Sequence, residues 1–220
     1  IIVDDGSTDN TIEIIEKYED PRIKVIRNVN NYGLPKSLNI GIGLSKGIYI
    51  ARQDADDISD KYRLEKQFQY AENTVADLVG SDSVNIDVNG DFISVSTFND
   101  FDNVDLRSFY LRRNMLFAHG SAFIRRESLL EVGLYNEGFF YAQDAELWMR
   151  FISNNKLIHY IHEPLYYLRR LPIKNDKKVV GQKMYMDCLK QYHFNSRGGQ
   201  NATNYEHEID NINQFLSTRS

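Results

Sequence analysis

The chain has 220 residues, 42% of them hydrophobic and 26% charged, with a net charge of −5. That composition suits a globular protein with one substantial core, or one domain with an appendage. The negative balance argues against nucleic-acid binding and against adhesion to anionic lipid by charge alone.

A single cysteine, Cys188, leaves no internal disulfide and no multi-cysteine metal site, which fits a reducing compartment. No apolar run approaches the roughly 20 residues that span a bilayer, and no secretory signal is visible. The chain begins without Met, on IIVDDGSTD, and reads as N-terminally truncated.

Ile1–Val3 predicts a strand covered on both faces. Gly6 breaks it, and Asn10 with Glu13 predicts a capping box for a helix carrying Ile12, Ile15 and Tyr18. RIKVIRN predicts a second strand. Pro35 marks the first turn of a second helix, with Leu38, Ile42 and Ser45 on one side and Gly47 closing it. IYIA is the third strand. Strand–helix–strand–helix–strand with short links predicts an α/β layered sheet, mostly parallel and flanked by helices.

KYRLEKQFQYA predicts a helix with Leu64, Phe68 and Ala71 as its stripe. VADLVGS is a strand, and VNIDVNGDFISV a hairpin turning on the two residues Asn89 and Gly90. Asp102–Arg113 reads as helix, and GSAFIRRESLLEVG as a strand entering a short helix stopped by Gly133. AQDAELWMRFISN is an amphipathic helix with Leu147, Trp148 and Phe151 inward. LIHYIHEPLYYLRR is strand-like and broken at Pro164. After Arg170 the composition shifts to the polar LPIKNDKK, a helix over Val180–Tyr192, the loop NSRGGQNATN, and a last helix over Tyr205–Leu216. The expected division is an α/β domain over 1–170 and a helical C-terminal extension over 171–220.

Three acidic sites stand out. Asp4 and Asp5 lie at the end of a strand where a helix opens, the place where ligands bind in open α/β sheets; Asp and Ser there are also ordinary helix caps. ARQDADDISD holds four carboxylates, Asp54, Asp56, Asp57 and Asp60, just after a strand. Oxygen-only ligands suit Mg²⁺ or Mn²⁺, and one or two carboxylates with substrate phosphates suffice. Capping needs one acid rather than four, and Asp57 and Asp60 are expected to serve the next helix. A calcium loop fails, because Ile58 and Ser59 occupy a ligand position and the glycine position and no helix precedes it. Asp144 opens the Trp-containing helix, and Trp148 lies one turn on along the same face. An acid at the rim of a core suits a general base as well as a cap. His119, just before a strand, is a further candidate for the site, whereas His159 and His162 read as structural.

Taken in order, IIVDDGSTDNT, KGIYIARQDADD, HGSAFIRRESLLEVGLYNEGF and AQDAELWMR resemble the successive motifs of family 2 inverting glycosyltransferases with the GT-A fold, from Ile1 to about Arg170. EPLYYLRR is similar to a strand found in bacterial cell-surface polysaccharide enzymes of that family. The resemblance implies that Asp5, with Asp4, contacts the uracil or ribose of a UDP-sugar. It implies that Asp54 and Asp56 form an Asp-X-Asp pair, with Asp56 holding Mn²⁺ or Mg²⁺ on the diphosphate and Asp54 beside the ribose and sugar. Asp144 is then the catalytic base toward a glycan or lipid-linked acceptor. The family's opening strand and helix are not in this sequence, and Gln143 and Gln53 depart from its usual residues. A cytoplasmic location follows, with peripheral membrane association a further expectation. Two other readings stay open from the residues: a sugar-1-phosphate nucleotidyltransferase, and a non-catalytic donor-binding module.

Overall fold

The computed structural model describes residues 1–99, 101–103, 105–113, 115–172, 176–195 and 206–218. Its elements run β1 (Ile2–Asp4), α1 (Thr11–Ile15), β2 (Val25–Arg27), α2 (Leu34–Leu44), β3 (Tyr49–Ala51), β4 (Ile58–Ser59), α3 (Arg63–Thr74), β5 (Leu78–Ile86) and β6 (Phe92–Ser96). After these come α4 (Leu106–Arg113), β7 (Phe123–Arg125), α5 (Arg126–Glu131), α6 (Gln143–Ser153), β8 (Ile158–Arg169), α7 (Asp176–Asn195) and α8 (Glu206–Ser217). Parts of the expected linker and loop, 173–175 and 196–204, lie outside the described residues, as does the start of the last helix at Tyr205.

The architecture is the expected mixed α/β sheet flanked by helices, but parallel pairing does not dominate. β1 and β2 form a parallel pair of their own, and the larger sheet runs β3-β7-β5-β8-β4 with β6 on β5. Among the described residues of that sheet only β5 and β8 are parallel; β7 runs antiparallel to both β3 and β5. The reason lies in the connections, since a hairpin and a reversed β7 need no crossover helix.

One face of this sheet carries Leu78, Ile124, Ile158 and Tyr160 into the main core, with Phe109, Phe117, Leu147, Trp148 and Phe151. The other carries Val79, Phe123, Ile161 and Leu165 against Ala71 of α3 and the adjacent Ala76. Tyr185, Cys188 and Leu189 of α7 and Ile209, Ile212 and Leu216 of α8 belong to the main core too.

Several local expectations are corrected. β1 is not covered on both faces: Ile1 and Ile2 are exposed while Asp4 is buried. The Asn10 box does not form; Asp9 instead accepts from the Thr11 N–H at 3.0 Å and the Thr11 hydroxyl. In the hairpin, the Asp87 carbonyl accepts from the Gly90 N–H and the Asp87 N–H donates to the Asp91 carbonyl, so the turn spans Val88–Gly90, and Gly90 takes φ 95°. β8 is not broken at Pro164. It continues, and the pairing with β5 shifts around Asp82 and Pro164, because a bulge tolerates a missing N–H.

The largest correction concerns α3. Leu64 and Phe68 are exposed, and the buried stripe is Arg63, Gln67 and Ala71. Arg63 is 1% exposed. Its guanidinium donates to the Arg52 carbonyl (2.8 Å), the Ala122 carbonyl (3.3 Å), Gln67 Oε1 (2.9 Å), Gln53 Oε1 (3.2 Å) and Ser59 Oγ (2.9 Å). Gln67 in turn donates to the Ser121 carbonyl at 2.7 Å. The backbone of two strand ends needs these donors, and that need outweighs the apolar pattern.

Arg63→Met should therefore lower stability by about 3 kcal/mol, since it orphans buried acceptors. Leu64→Gln on the exposed face should stay within about 0.5 kcal/mol. Urea unfolding of both variants checks the contrast, and the apolar pattern alone would rank them the other way.

Candidate active site

The site forms where strand ends converge. Because β7 runs antiparallel to β3, with Ala51 opposite Phe123, the residues before β7 lie beside those after β3. The Arg52 N–H donates to the Ala122 carbonyl at 3.0 Å and extends that pairing. The turn His119–Ser121 is thereby brought next to Arg52–Asp57.

Asp5 is tied firmly. Its Oδ1 accepts from Asn28 Nδ2 and from the Tyr32 N–H, both at 2.8 Å, and its Oδ2 accepts from the Gly33 N–H at 2.8 Å. Burial works to raise its pKa, but the bonds from Tyr32, Asn28 and Gly33 prevail and hold the carboxyl below the usual range. The carboxylate thus joins the end of β1 to the entry of α2, where Gly33 at φ 85° turns the chain. Asp4 is buried and accepts from the Ser7 N–H at 3.1 Å.

The DADD stretch is held from below. Arg52, 5% exposed, pairs with Asp54. Gln53 Nε2 donates to the carbonyls of Asp54 and Asp57, each at 3.0 Å. Asp56 is exposed. Asp60 makes a turn into α3 by accepting from the Tyr62 N–H at 2.8 Å. Asp57 does not cap: it accepts from the Tyr166 hydroxyl at 2.8 Å and the Arg169 N–H at 2.6 Å, both on β8. Burial raises its pKa against those two bonds, helped by the charges of Asp54 and Asp56.

Asp144 sits in the first turn of α6 rather than at the cap, a position held by Ala142 in the left-handed region. The residue is half-buried. Burial raises its pKa, opposed by the Ala145 N–H and the Arg52 charge, with Asp54 adding to the rise. His119 Nε2 lies 2.7 Å from the Tyr135 hydroxyl, and its ring is edge-on to Trp148 at 6.0 Å. Burial and the Arg52 charge push the His119 pKa well down, so it is neutral at pH 7. Tyr135 is pinned to α2 through Asn39, which donates to its carbonyl (2.9 Å) and accepts from its N–H (3.0 Å).

Residues 1–134 match the family described as Glycosyl transferase family 2. The chain belongs to this family. It is 30% identical over 202 residues to an uncharacterized glycosyltransferase of Methanocaldococcus jannaschii, covering 90% of this chain and 69% of that one. An O-antigen biosynthesis glycosyltransferase of Escherichia coli is 30% identical over 117 residues, 53% of this chain and 44% of its own. A crystal structure of Staphylococcus aureus TarS 1–349 with UDP-GlcNAc superposes with a TM-score of 0.66 at 20% identity, covering 99% of this chain and 62% of that one. That likeness establishes the GT-A fold.

In this family 2 chain Arg52 and Asp54 lie close enough to Asp144 to act on its charge, Arg52 acts on His119 as well, and His119 packs on Trp148. Asp4 and Asp5 stand at the end of β1, linked to that group through α2. Arg52, Tyr135 and Tyr166 were not singled out in the sequence. Only Arg52 left a signal, as a cation two residues before clustered acids. Arg52 Nε and Trp148 Nε1 are buried without hydrogen-bond partners. Among the described residues no group of three or more His, Cys, Asp or Glu forms a metal cluster. The exposed Asp56 and the half-exposed Asp54 still fit Mn²⁺ or Mg²⁺, which take one or two carboxylates and complete their shell with phosphate and water.

The raised Asp144 has a sign that can be checked. Its folded pKa lies above the unfolded value, so ionisation favours unfolding, and the penalty is present only above the ordinary aspartate pKa of about 4. Asp144→Asn should raise Tm at neutral pH, with the gain shrinking as pH falls toward that value. Thermal unfolding across pH measures it.

Proposed function

We propose that the chain is the donor-binding and catalytic part of an inverting glycosyltransferase. It moves a sugar from a nucleotide-diphosphate donor, a UDP-sugar, to a hydroxyl of a glycan or lipid-linked acceptor in cell-surface polysaccharide synthesis. The observation that carries the reading is Asp144: a carboxyl recessed beside Asp54 and Arg52, with its pKa raised by burial.

A carboxylate in that setting is a stronger base than one in water. Asp144 takes the proton of the acceptor hydroxyl as that oxygen bonds to the anomeric carbon. The bond from that carbon to the diphosphate breaks in the same displacement, so the configuration inverts and UDP leaves. Asp5 and Asp4 hold the nucleotide end, and Asp56 with Asp54 would hold the divalent cation. A bound Mn²⁺ or Mg²⁺ supplies positive charge to the departing diphosphate. His119, neutral and bonded to Tyr135, and Trp148 shape the wall beside Asp144.

The TarS complex with UDP-GlcNAc supports the donor class through the shared fold, and the O-antigen relative supports the polysaccharide setting. Among the described residues no helix is long and apolar enough to cross a membrane; the reading places the chain in the cytoplasm, peripheral to the inner face of the membrane.

Asp144→Asn should cut transfer by about 10² to 10⁴ while UDP-sugar binding is retained. Transfer assays paired with donor-binding calorimetry check this, and loss of donor binding instead would remove the base assignment. In the same calorimetry, Asp56→Ala should abolish the Mn²⁺-dependent part of UDP binding.

A further inference from the structure

We infer that Asp57, Tyr166 and Arg169 are positioning residues that hold the Asp54–Asp56 loop in the geometry that takes up a divalent cation with a nucleoside diphosphate. The inference rests on the metal role proposed above and assigns the work of three residues outside that role.

The loop's polar backbone groups are engaged from β8 to an unusual degree. Asp54 N–H donates to the Tyr166 hydroxyl at 3.1 Å, and that hydroxyl donates onward to Asp57 Oδ2 at 2.8 Å. The Arg169 N–H donates to Asp57 Oδ1 at 2.6 Å, so both oxygens of Asp57 are bonded to β8. Arg169 Nε donates to the Asp56 carbonyl at 2.7 Å, and its Nη1 to the carbonyls of Asp87 and Val88 at 2.9 and 3.0 Å. The arginine thus fastens the loop to the turn between β5 and β6. Within the loop itself the backbone offers only a long bond, Asp57 N–H to the Asp54 carbonyl at 3.4 Å.

Two carboxylates on such a short turn repel each other and need outside ties to share one cation. Tyr166 is built to be such a tie. Its ring is buried, the Arg63 guanidinium stacks over it at 4.9 Å, and Gly120 leaves the space that its hydroxyl fills. A Cβ at Gly120 would overlap that hydroxyl. The division of labour follows: Asp54 and Asp56 face the ligand, and Asp57 is spent on the scaffold.

Groups that orient metal ligands are worth about 10- to 100-fold in metal affinity. Tyr166→Phe keeps the ring and loses the hydroxyl; Asp57→Asn keeps the shape and loses the charge; Arg169→Met keeps the stem and loses the fork. UDP binding is measured by calorimetry over a Mn²⁺ series, and backbone hydrogen exchange over residues 52–58 in metal-free protein. The expected result is a Mn²⁺ requirement raised about tenfold or more in each variant, with faster exchange in that segment and UDP binding without metal unchanged. Wild-type Mn²⁺ dependence and wild-type exchange in Tyr166→Phe and Asp57→Asn would overturn the positioning role alone. UDP binding by the wild-type chain that ignores Mn²⁺ would overturn the metal reading and this inference with it.

Discussion

The guanidinium of Arg63 is the point on which the site is assembled. It lies beneath the convergence of β3 and β7 with almost no exposure, and binds carbonyls from both strand ends. A buried cation is costly unless its donors are satisfied, and here the acceptors are backbone groups that need donors just as much. Burial and the neighbouring Arg52 charge lower its pKa to about 10, which leaves it ionised at neutral pH. Through Gln53 and Gln67 the same network reaches the acidic loop and the turn before β7. The rigid part of the site is therefore a polar layer under the sheet edge, not the hydrophobic core.

That layer also changes how the clustered acids are understood. Four carboxylates after one strand suggest a waiting cation, and two of them still fit one. Much of the compensation, however, is internal. Arg52 pairs with Asp54, Tyr166 and Arg169 take up Asp57, and Asp60 turns the chain into α3. On the proposed function, a metal arriving with a diphosphate would meet an organised loop, which limits the ordering that binding must supply.

How much of this was legible depended on which physical signal each residue carried. Asp144 and Trp148 were readable because α6 is amphipathic with its apolar face inward, so the helix start and the rim of the core fall together. The placement of Asp54 and Asp56 on the turn after β3 was readable because these acids follow directly on an apolar run. Arg63 and Gln67 were not, because Leu64 and Phe68 offer a better apolar stripe and hydrogen-bond demand leaves no trace in periodicity. Asp57 was misread for a related reason: its partners come from β8, more than a hundred residues away. Mostly parallel pairing was inferred from the first strands, where it holds for β1 and β2, and it failed once the hairpin and β7 entered the sheet.

The shift in pairing around Pro164 does more than accommodate a missing N–H. Before it, Ile158 pairs with Leu78 and Tyr160 with Gly80; after it, Tyr166 pairs with Ser83 and Arg169 with Ile86. The stagger has grown by three residues, an odd number, and an odd slip inverts which face a side chain points to. Tyr160 and Tyr166 have the same parity in sequence yet serve opposite sides of the sheet. Tyr160 stacks on Phe101 in the main core, while Tyr166 stands under the acidic loop against Arg63. One strand is thereby divided between two trades, with its first half keeping the protein folded and its second half keeping the loop aimed. Losing a single residue near Pro164 would rotate the second half by one face and exchange Tyr166 for a neighbour, with the first half left as it was.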